Sequence, residues 1–417
     1  MVNFGLVSRN RDFALLWASH LTSSFGDGLR RVALPWLVYI LTGSPLQLAI
    51  SFALGSVPDI LSSPLTGYYV DKISRKKILF SSYILNGVVI FLIPISSVMG
   101  FLNIYLVYLL MISLSILGSF FYEARFSVIP DLVGEENLDE ANSFLYGNKA
   151  LISLFSVTLA AIFIEFIGIT SAFVLDSITF FAAAGIISLA AVPYKEKDIP
   201  EAFSERVSEI FEENKIALKE MRHTIIEKIV IIGIPLNLAT VPFILVFTDI
   251  AHGIFGTAAV LSALLVAASS GRLLGNYIVS KLSWTKITKC WSGILIMAVF
   301  ALAIGGVGVL LQDFVSLYAV PILLGIGLLV FLMYIGQPIM NVASDSLVQM
   351  TAADEHRGKI LSLSDGFLNL PFPFAYLLGG FLLERYDPFF VVLAFGSILL
   401  VTGISARGVY KATKISS

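Results

Sequence analysis

The chain has 417 residues, of which 57% are hydrophobic and 13% are charged. Soluble domains are about one quarter charged, so this composition excludes an ordinary soluble protein. The formal net charge of −2 excludes the basic surface of a nucleic-acid-binding protein, and the single cysteine, Cys290, excludes an internal disulfide framework.

Apolar runs recur along the whole chain, and each is long enough to cross a bilayer at about 20 residues. Glycines, prolines and charges separate twelve predicted spans: 13–41, 46–70, 78–100, 104–129, 141–167, 171–192, 229–250, 255–280, 290–311, 315–343, 359–382 and 388–406. Short links such as 42–45 require neighbouring helices to run antiparallel. The sequence therefore predicts an all-α integral membrane protein.

The first span carries three charges, Asp27, Arg30 and Arg31. Residues 13–26 alone would reach about 21 Å, which is too short for a hydrocarbon core of about 30 Å, so the charges lie within the span. Charges facing lipid are costly, and we expect these to face protein or water. Asp27 can pair with either arginine on a helix. It is a candidate proton-coupling residue or part of a fixed ion pair, and either arginine is a candidate contact for an anionic group of a substrate.

Between spans two and three the chain reads GYYVDKISRKK. This resembles the signature loop of the major facilitator superfamily, Gly-x-x-x-Asp-Arg/Lys-x-Gly-Arg/Lys-Arg/Lys. Ser74 replaces the second glycine of that signature, and the matching residues are Gly67, Asp71, Lys72, Arg75 and Lys76.

The resemblance implies that this loop is a cytoplasmic gate. Asp71 would lie near the start of span eleven, and Arg75 would pair with Glu123 or Asp131. Glu123 and Arg125 are a further candidate gate pair near the inner end of span four. The alternative is that the cationic residues only anchor the topology.

The charged connection 194–228 separates two halves of six spans each. We predict an N-terminal six-helix bundle at 1–193, a cytoplasmic linker at 194–228 and a C-terminal six-helix bundle at 229–417. Apolar residues at helical spacing predict an amphipathic helix in the linker, which lies on the membrane or on the base of the transporter, or is solvated. In the second half, Gly271 and Gly275 favour close helix packing.

Span ten repeats a mixed polar and apolar face at helical spacing. This face either lines a promiscuous substrate cavity or forms an ordinary helix interface. Its residues are Met333, Tyr334, Gln337 and Asn341.

Lysine and arginine are distributed asymmetrically between the two sides of the predicted membrane. The chain has 27 lysine and arginine residues. Five of them fall within or at the edges of spans, and Arg385 falls in a connection on the outer side, which leaves 21 on the inner side. Because cytoplasmic loops collect these residues, both termini are predicted to be cytoplasmic. We expect a multi-pass protein of the plasma membrane.

The stretches RNRDFALLWASHLTSSFGD, PDLVGEENLDEAN and LDSITFF resemble the superfamily branch of macrolide-efflux proteins and the enterobactin exporter. The resemblance implies the major facilitator fold, with two pseudo-symmetric six-helix bundles and with span one lining a central cavity. It also implies proton-coupled export of amphipathic molecules.

We therefore expect a secondary active transporter that works by alternating access, an antiporter exporting an amphipathic or lipophilic, drug- or macrolide-like molecule. Alternatives are a lipid or siderophore transporter, uptake of an organic anion, and a non-transporting membrane receptor. The sequence has no nucleotide-binding loop, nucleophile elbow or metal-ligand cluster, so we expect no enzyme activity, cofactor or metal. The expected partners are a small-molecule substrate, protons and the lipid bilayer, with no nucleic acid, and the chain is expected to be a monomer.

Overall fold

The computed structural model describes residues 5–134, 137–192, 212, 214–352 and 357–411. The helices of the first half are α1 (Gly5–Arg9), α2 (Arg11–Thr42), α3 (Pro45–Lys72), α4 (Arg75–Val98), α5 (Ile104–Val133), α6 (Leu138–Phe166) and α7 (Ile169–Ser188). Those of the second half are α8 (Ile225–Thr240), α9 (Phe243–Asp249), α10 (Ala258–Lys281), α11 (Lys286–Leu311), α12 (Val315–Thr351), α13 (Arg357–Asn369), α14 (Phe372–Leu383) and α15 (Pro388–Lys411).

Each predicted span coincides with one helix or with a pair of consecutive helices. Within the described ranges, nine helical stretches are long and apolar enough to cross a membrane. The all-α membrane fold is thus confirmed, whereas the count of twelve spans stays a prediction.

Two predicted spans are interrupted by prolines. The span predicted at 229–250 consists of α8, α9 and the start of a π-helical turn, Ile250–Phe255, and the first break lies at Val241 and Pro242. The span predicted at 359–382 is broken between α13 and α14, at Leu370 and Pro371. Proline has no N–H to continue the helical hydrogen-bond ladder. Hydropathy misses both breaks because the chain stays apolar across them.

Polar residues fix where several helices begin. Asn10 accepts a hydrogen bond from the backbone N of Phe13, at 2.9 Å, at the start of α2. Asn103 accepts one from Leu106 N, at 3.1 Å, at the start of α5. Such caps satisfy N–H groups that have no partner inside the helix.

The chain divides into two compact units, and the N-terminal unit contains Met1–Gly43 and Leu54–Val207. In it, α2 packs against α6 and α7, while α4 packs against α5 and α7. Gly28 of α2 lies so close to Ser156 of α6 that a Cβ atom would overlap its hydroxyl group. The helix α2 therefore approaches its neighbours closely in the region that carries its charges.

The C-terminal unit contains Ser208–Ser417 together with Ser44–Ala53. In it, α11 packs against α12 and α15, and α10 packs against α12. Gly271 and Gly275 of α10 lie directly against the backbone oxygens of Phe331 and Ile335 in α12. The prediction that these two glycines serve close helix packing is confirmed.

The first part of α3 joins the C-terminal unit through the end of α14. Glu384, next to that end, accepts hydrogen bonds from Ser44 Oγ at 2.9 Å and from Leu46 N at 3.3 Å. The observed division therefore differs from a simple cut at the predicted linker 194–228.

Most of that linker lies outside the described residues, including the first part of the predicted amphipathic helix. Residues 214–221 are helical, and Ala217 and Met221 are buried.

Candidate functional site

The charges of the first span meet a carboxylate of α7. Arg30 donates from Nη2 to Asp27, one turn earlier in α2, and from Nη1 to Oδ2 of Asp176 at 2.8 Å. The side chain of Asp27 is 40% exposed, that of Arg30 is 18% exposed and that of Asp176 is fully buried. A single guanidinium group thus donates hydrogen bonds to two carboxylates. We call Asp27, Arg30 and Asp176 the charge cluster.

Close packing positions the charge cluster. A Cβ atom on Gly26 would overlap the side chains of Asp176 and Thr179, so only glycine permits this approach of α2 to α7. The Arg30 guanidinium also lies over the ring of Phe180, 5.5 Å from its centroid. The helix α2 continues through Gly26 without a break, so this glycine serves close packing.

Arg31 points away from the charge cluster. Its Nη1 donates to Ser153 Oγ of α6 at 3.0 Å, whereas Arg30 is directed to α7. Successive residues of a helix point about 100° apart, which accounts for the divergence. The two arginines therefore contact different helices.

The predicted gate loop contains an ion pair. Arg75 at the start of α4 pairs with Asp131 near the end of α5 and donates to the backbone oxygen of Ser127 at 2.8 Å. Lys76 donates to the backbone oxygen of Ser188 at the end of α7, at 2.7 Å. Of the two acids considered for Arg75, the structure places Asp131 beside it.

The rest of the predicted gate motif is not described at the level of side chains. The surroundings of Gly67, Asp71 and Lys72 lie outside the described side chains, as does the predicted contact of Asp71 with span eleven.

Arg125, a predicted gate residue, is buried and contacts a histidine. Its Nη1 lies 2.6 Å from Nε2 of His20, and its guanidinium lies over the rings of Tyr122 and Phe126 at 4.9 and 5.2 Å. Glu123, two residues before Arg125 in α5, is exposed. The structure thus brings Arg125 to α2 and not into an ion pair with Glu123.

The predicted cavity face of α12 is mostly a helix interface. Met333 is fully buried and Tyr334 is nearly so. Gln337 accepts a hydrogen bond from Arg272 Nε at 2.8 Å, and the Arg272 guanidinium covers the Tyr334 ring at 4.4 Å. The burial of Met333 favours the alternative of a helix interface, and its assignment to a substrate cavity stays a prediction.

Asn341, the fourth residue of that face, does line a cavity, which lies wholly within the C-terminal unit. We call it the C-terminal cavity. Two carboxylates, Asp345 and Asp365, lie on its wall, and its apolar wall includes Ile232, Leu236 and Leu361. In the described part of the chain, neither carboxylate forms an ion pair or a hydrogen bond with another side chain. Asp176, Asp345 and Asp365 were not selected from the sequence, although an acid inside an apolar helix is itself the signal.

Among the described residues, no group of three or more His, Cys, Asp or Glu side chains is close enough to hold a metal ion.

Comparison with known proteins places this chain in a family. A sequence model of the Major Facilitator Superfamily matches residues 16–334. The uncharacterized MFS-type transporter YvqJ of Bacillus subtilis is 20% identical over 97% of this chain and 93% of its own length. Macrolide efflux protein A of Streptococcus pyogenes is 20% identical over 94% of each chain. The multidrug efflux pump Tap of Mycolicibacterium fortuitum is 30% identical over 31% of this chain and 33% of its own.

Solved structures share the fold. The nucleoside transporter NupG superposes with a TM-score of 0.71 at 12% identity, covering 95% of this chain and 99% of that one. A bacterial homologue of the iron transporter ferroportin, in an inward-facing state, gives a TM-score of 0.64 at 16% identity, covering 96% and 98%.

Proposed function

Because the chain belongs to the Major Facilitator Superfamily and is a membrane transporter rather than an enzyme, we propose that it is a proton-coupled antiporter. In this proposal it lies in the plasma membrane as a monomer with both termini in the cytoplasm. It works by alternating access and exports an amphipathic small molecule. Two relatives carry the names of macrolide and multidrug efflux proteins, the first matched over nearly its whole length and the second over about one third. These names support export.

The charge cluster is the observation that carries the proposal. An ionised side chain inside a membrane protein is costly, and such residues commonly mark ion or proton pathways. The cluster holds two carboxylates for one arginine, so it has one negative charge more than Arg30 can balance. Binding of a proton by one of the two carboxylates removes this excess negative charge and is therefore favoured.

Asp27 is the most exposed member of the charge cluster. Its side chain is 40% exposed, whereas its partner Asp176 is fully buried. We therefore assign to Asp27 a part in passing protons between the aqueous phase and the charge cluster during the transport cycle.

The C-terminal cavity supports a cargo that is apolar and carries a positive charge. Apolar side chains would hold the body of such a molecule, and Asp345 or Asp365 would pair with a protonated amine. Uptake of an organic anion through Arg30 has less support, since that guanidinium already serves two carboxylates.

The test is purified protein in liposomes with an imposed pH gradient. We expect uptake or release of a cationic amphipathic dye to follow the gradient in the wild type, and a neutral dye of similar shape to be moved less. Asp27→Asn should abolish gradient-driven flux but keep exchange of labelled for unlabelled dye at zero gradient, because exchange needs cargo binding without net proton movement.

Asp313→Asn is the matched control, since Asp313 is exposed in the short 3-10 turn between α11 and α12. It should behave like the wild type. Gradient-driven flux at the wild-type rate in Asp27→Asn would show that Asp27 has no part in coupling.

A further inference from the structure

Asp176 is a buried acid, and one of its two carboxylate oxygens has no hydrogen-bond partner in the part of the chain that the structure describes. It lies in the middle of α7, and its Oδ2 accepts the hydrogen bond of Arg30. Its Oδ1 is buried and has no hydrogen-bond partner among the described residues. The neighbouring hydroxyl of Thr179 does not serve it, because that group donates to the backbone oxygen of Asp176 at 2.6 Å. A buried carboxylate oxygen without a donor is costly.

This oxygen lies close to the backbone of α2. A Cβ atom built on Gly26 would overlap Oδ1, so the oxygen lies against the bare backbone of α2. Arg30 approaches the other oxygen, Oδ2. The carboxyl group of Asp176 therefore has one side paired with a cation and one side facing an uncharged surface.

The charged and titratable groups around Asp176 are few. On α2 they are Arg30 and Asp27, which act on it in opposite senses. On α4, Tyr83 packs against the ring of Phe180, the neighbour of Arg30, at 6.2 Å. On α6, Glu165 is exposed near the turn into α7. Arg30 is thus the one cation in the described part of the chain that pairs with Asp176.

The two carboxylates of the charge cluster differ in how deeply they are buried. Removing a carboxylate from water favours its neutral form, and this effect is largest where no water reaches the group. Asp176 is fully buried and Asp27 is 40% exposed. When the cluster holds one proton, Arg30 and the more exposed Asp27 can remain a paired cation and anion.

We propose that Oδ1 of Asp176 is the atom that binds the coupling proton, and that Asp27 and Arg30 position and balance it. The proton is taken from water, forms an O–H bond at Oδ1, and returns to water when that bond breaks. Arg30 remains a cation throughout. Bound, the proton leaves the cluster neutral, and its release leaves one net negative charge.

This inference rests on the proposed function in naming the coupling ion, but its test does not need transport. Infrared difference spectra of the full-length protein in liposomes, recorded as the pH is stepped, report the carbonyl stretch of a protonated carboxyl group. We expect a band in the wild type that is missing from the spectra of Asp176→Asn at every pH at which the protein is folded, while the bands of the other carboxyl groups remain. Asp176→Glu should keep a band at a changed position, and Asp313→Asn should leave it unchanged.

Asp27→Asn gives the decisive comparison. It leaves Arg30 to pair with Asp176 alone, so the band should persist but form only at lower pH than in the wild type. If the proton instead resides on Asp27, the two variants exchange behaviour: Asp27→Asn loses the band and Asp176→Asn keeps it at lower pH. That exchange, or identical spectra of the wild type and Asp176→Asn, would overturn the inference.

Transport measured on the same samples separates this result from the proposed function. Asp176→Asn should lose gradient-driven flux and keep dye exchange. A wild type that shows the band but no gradient-driven flux would refute proton-coupled export and leave the assignment of the proton to Asp176 standing.

Discussion

A single glycine sets the distance between the charges of α2 and α7. Gly26 leaves room for the carboxyl group of Asp176 and for Thr179, and it does so inside an unbroken helix. Glycine in a helix interior costs about 1 kcal/mol relative to alanine. Its presence here is explained by contact and not by a need for a bend.

We expect Gly26→Val to separate α2 from α7 and to break the bond between Arg30 and Asp176. Forcing extra atoms into a packed interior costs about 1–3 kcal/mol. Thermal unfolding of the purified protein should show a lower midpoint, and gradient-driven flux should fall. Gly185→Ala in α7 is the control, because a Cβ atom there meets nothing within 4 Å. Equal midpoints for Gly26→Val and the wild type would contradict this packing argument.

The charge cluster was only half predictable from the sequence. Asp27 and Arg30 are three residues apart, and helical geometry alone brings them together. Asp176 is 146 positions from Arg30, and no local pattern states which distant helix it will face. Its presence in an apolar helix was a signal of function, but the partner required the packing of α2 on α7.

At the scale of elements, Arg75 ties the start of α4 to the end of α5. It pairs with Asp131, which is partly exposed, and bonds the backbone of the same helix at Ser127. An exposed ion pair contributes up to about 1 kcal/mol to stability. A change of about 1 kcal/mol in the free-energy difference between two transporter states would change the ratio of their populations about fivefold.

We therefore expect Arg75→Asp to change the rate of dye transport by about fivefold, since the like charges of residues 75 and 131 would repel. The double variant Arg75→Asp with Asp131→Arg should recover much of the rate. Lys77→Ala, at an exposed neighbouring position, is the control. A double variant no better than the single one would show that the pair itself does not matter.

Helix positions were predicted better than helix continuity. A run of about 20 apolar residues is a strong signal because the bilayer imposes it. The breaks before Pro242 and Pro371 were missed, whereas α8 continues through Pro235 and α12 through Pro338. Proline in an apolar helix is tolerated when neighbouring groups satisfy the freed carbonyl, so the residue alone does not show a break.

At the scale of the whole molecule, the orientation in the membrane rests on lysine and arginine. Phe101 lies exposed between α4 and α5, and Ser283 lies exposed between α10 and α11. The charge distribution puts these two connections on opposite sides, with Phe101 outside. Cys290, the single cysteine of the chain, is buried, which makes labelling at introduced cysteines simple to interpret.

In a Cys290→Ser background, we expect Phe101→Cys to react with a membrane-impermeant maleimide in intact cells. Ser283→Cys should react only after the cells are permeabilised. The reverse pattern would invert the proposed topology, and the unmodified background protein provides the control.

The length of α12 bears on the lipids that this protein can accept. Between Asp313 and Asp345 the chain has 31 residues without a charged side chain, which as a helix would extend about 46 Å. A hydrocarbon layer of about 30 Å covers roughly two thirds of that length. In longer-chain phospholipids, the hydrocarbon layer would therefore cover more of α12 without enclosing a carboxylate. We expect thick bilayers to be tolerated at α12 with little hydrophobic mismatch.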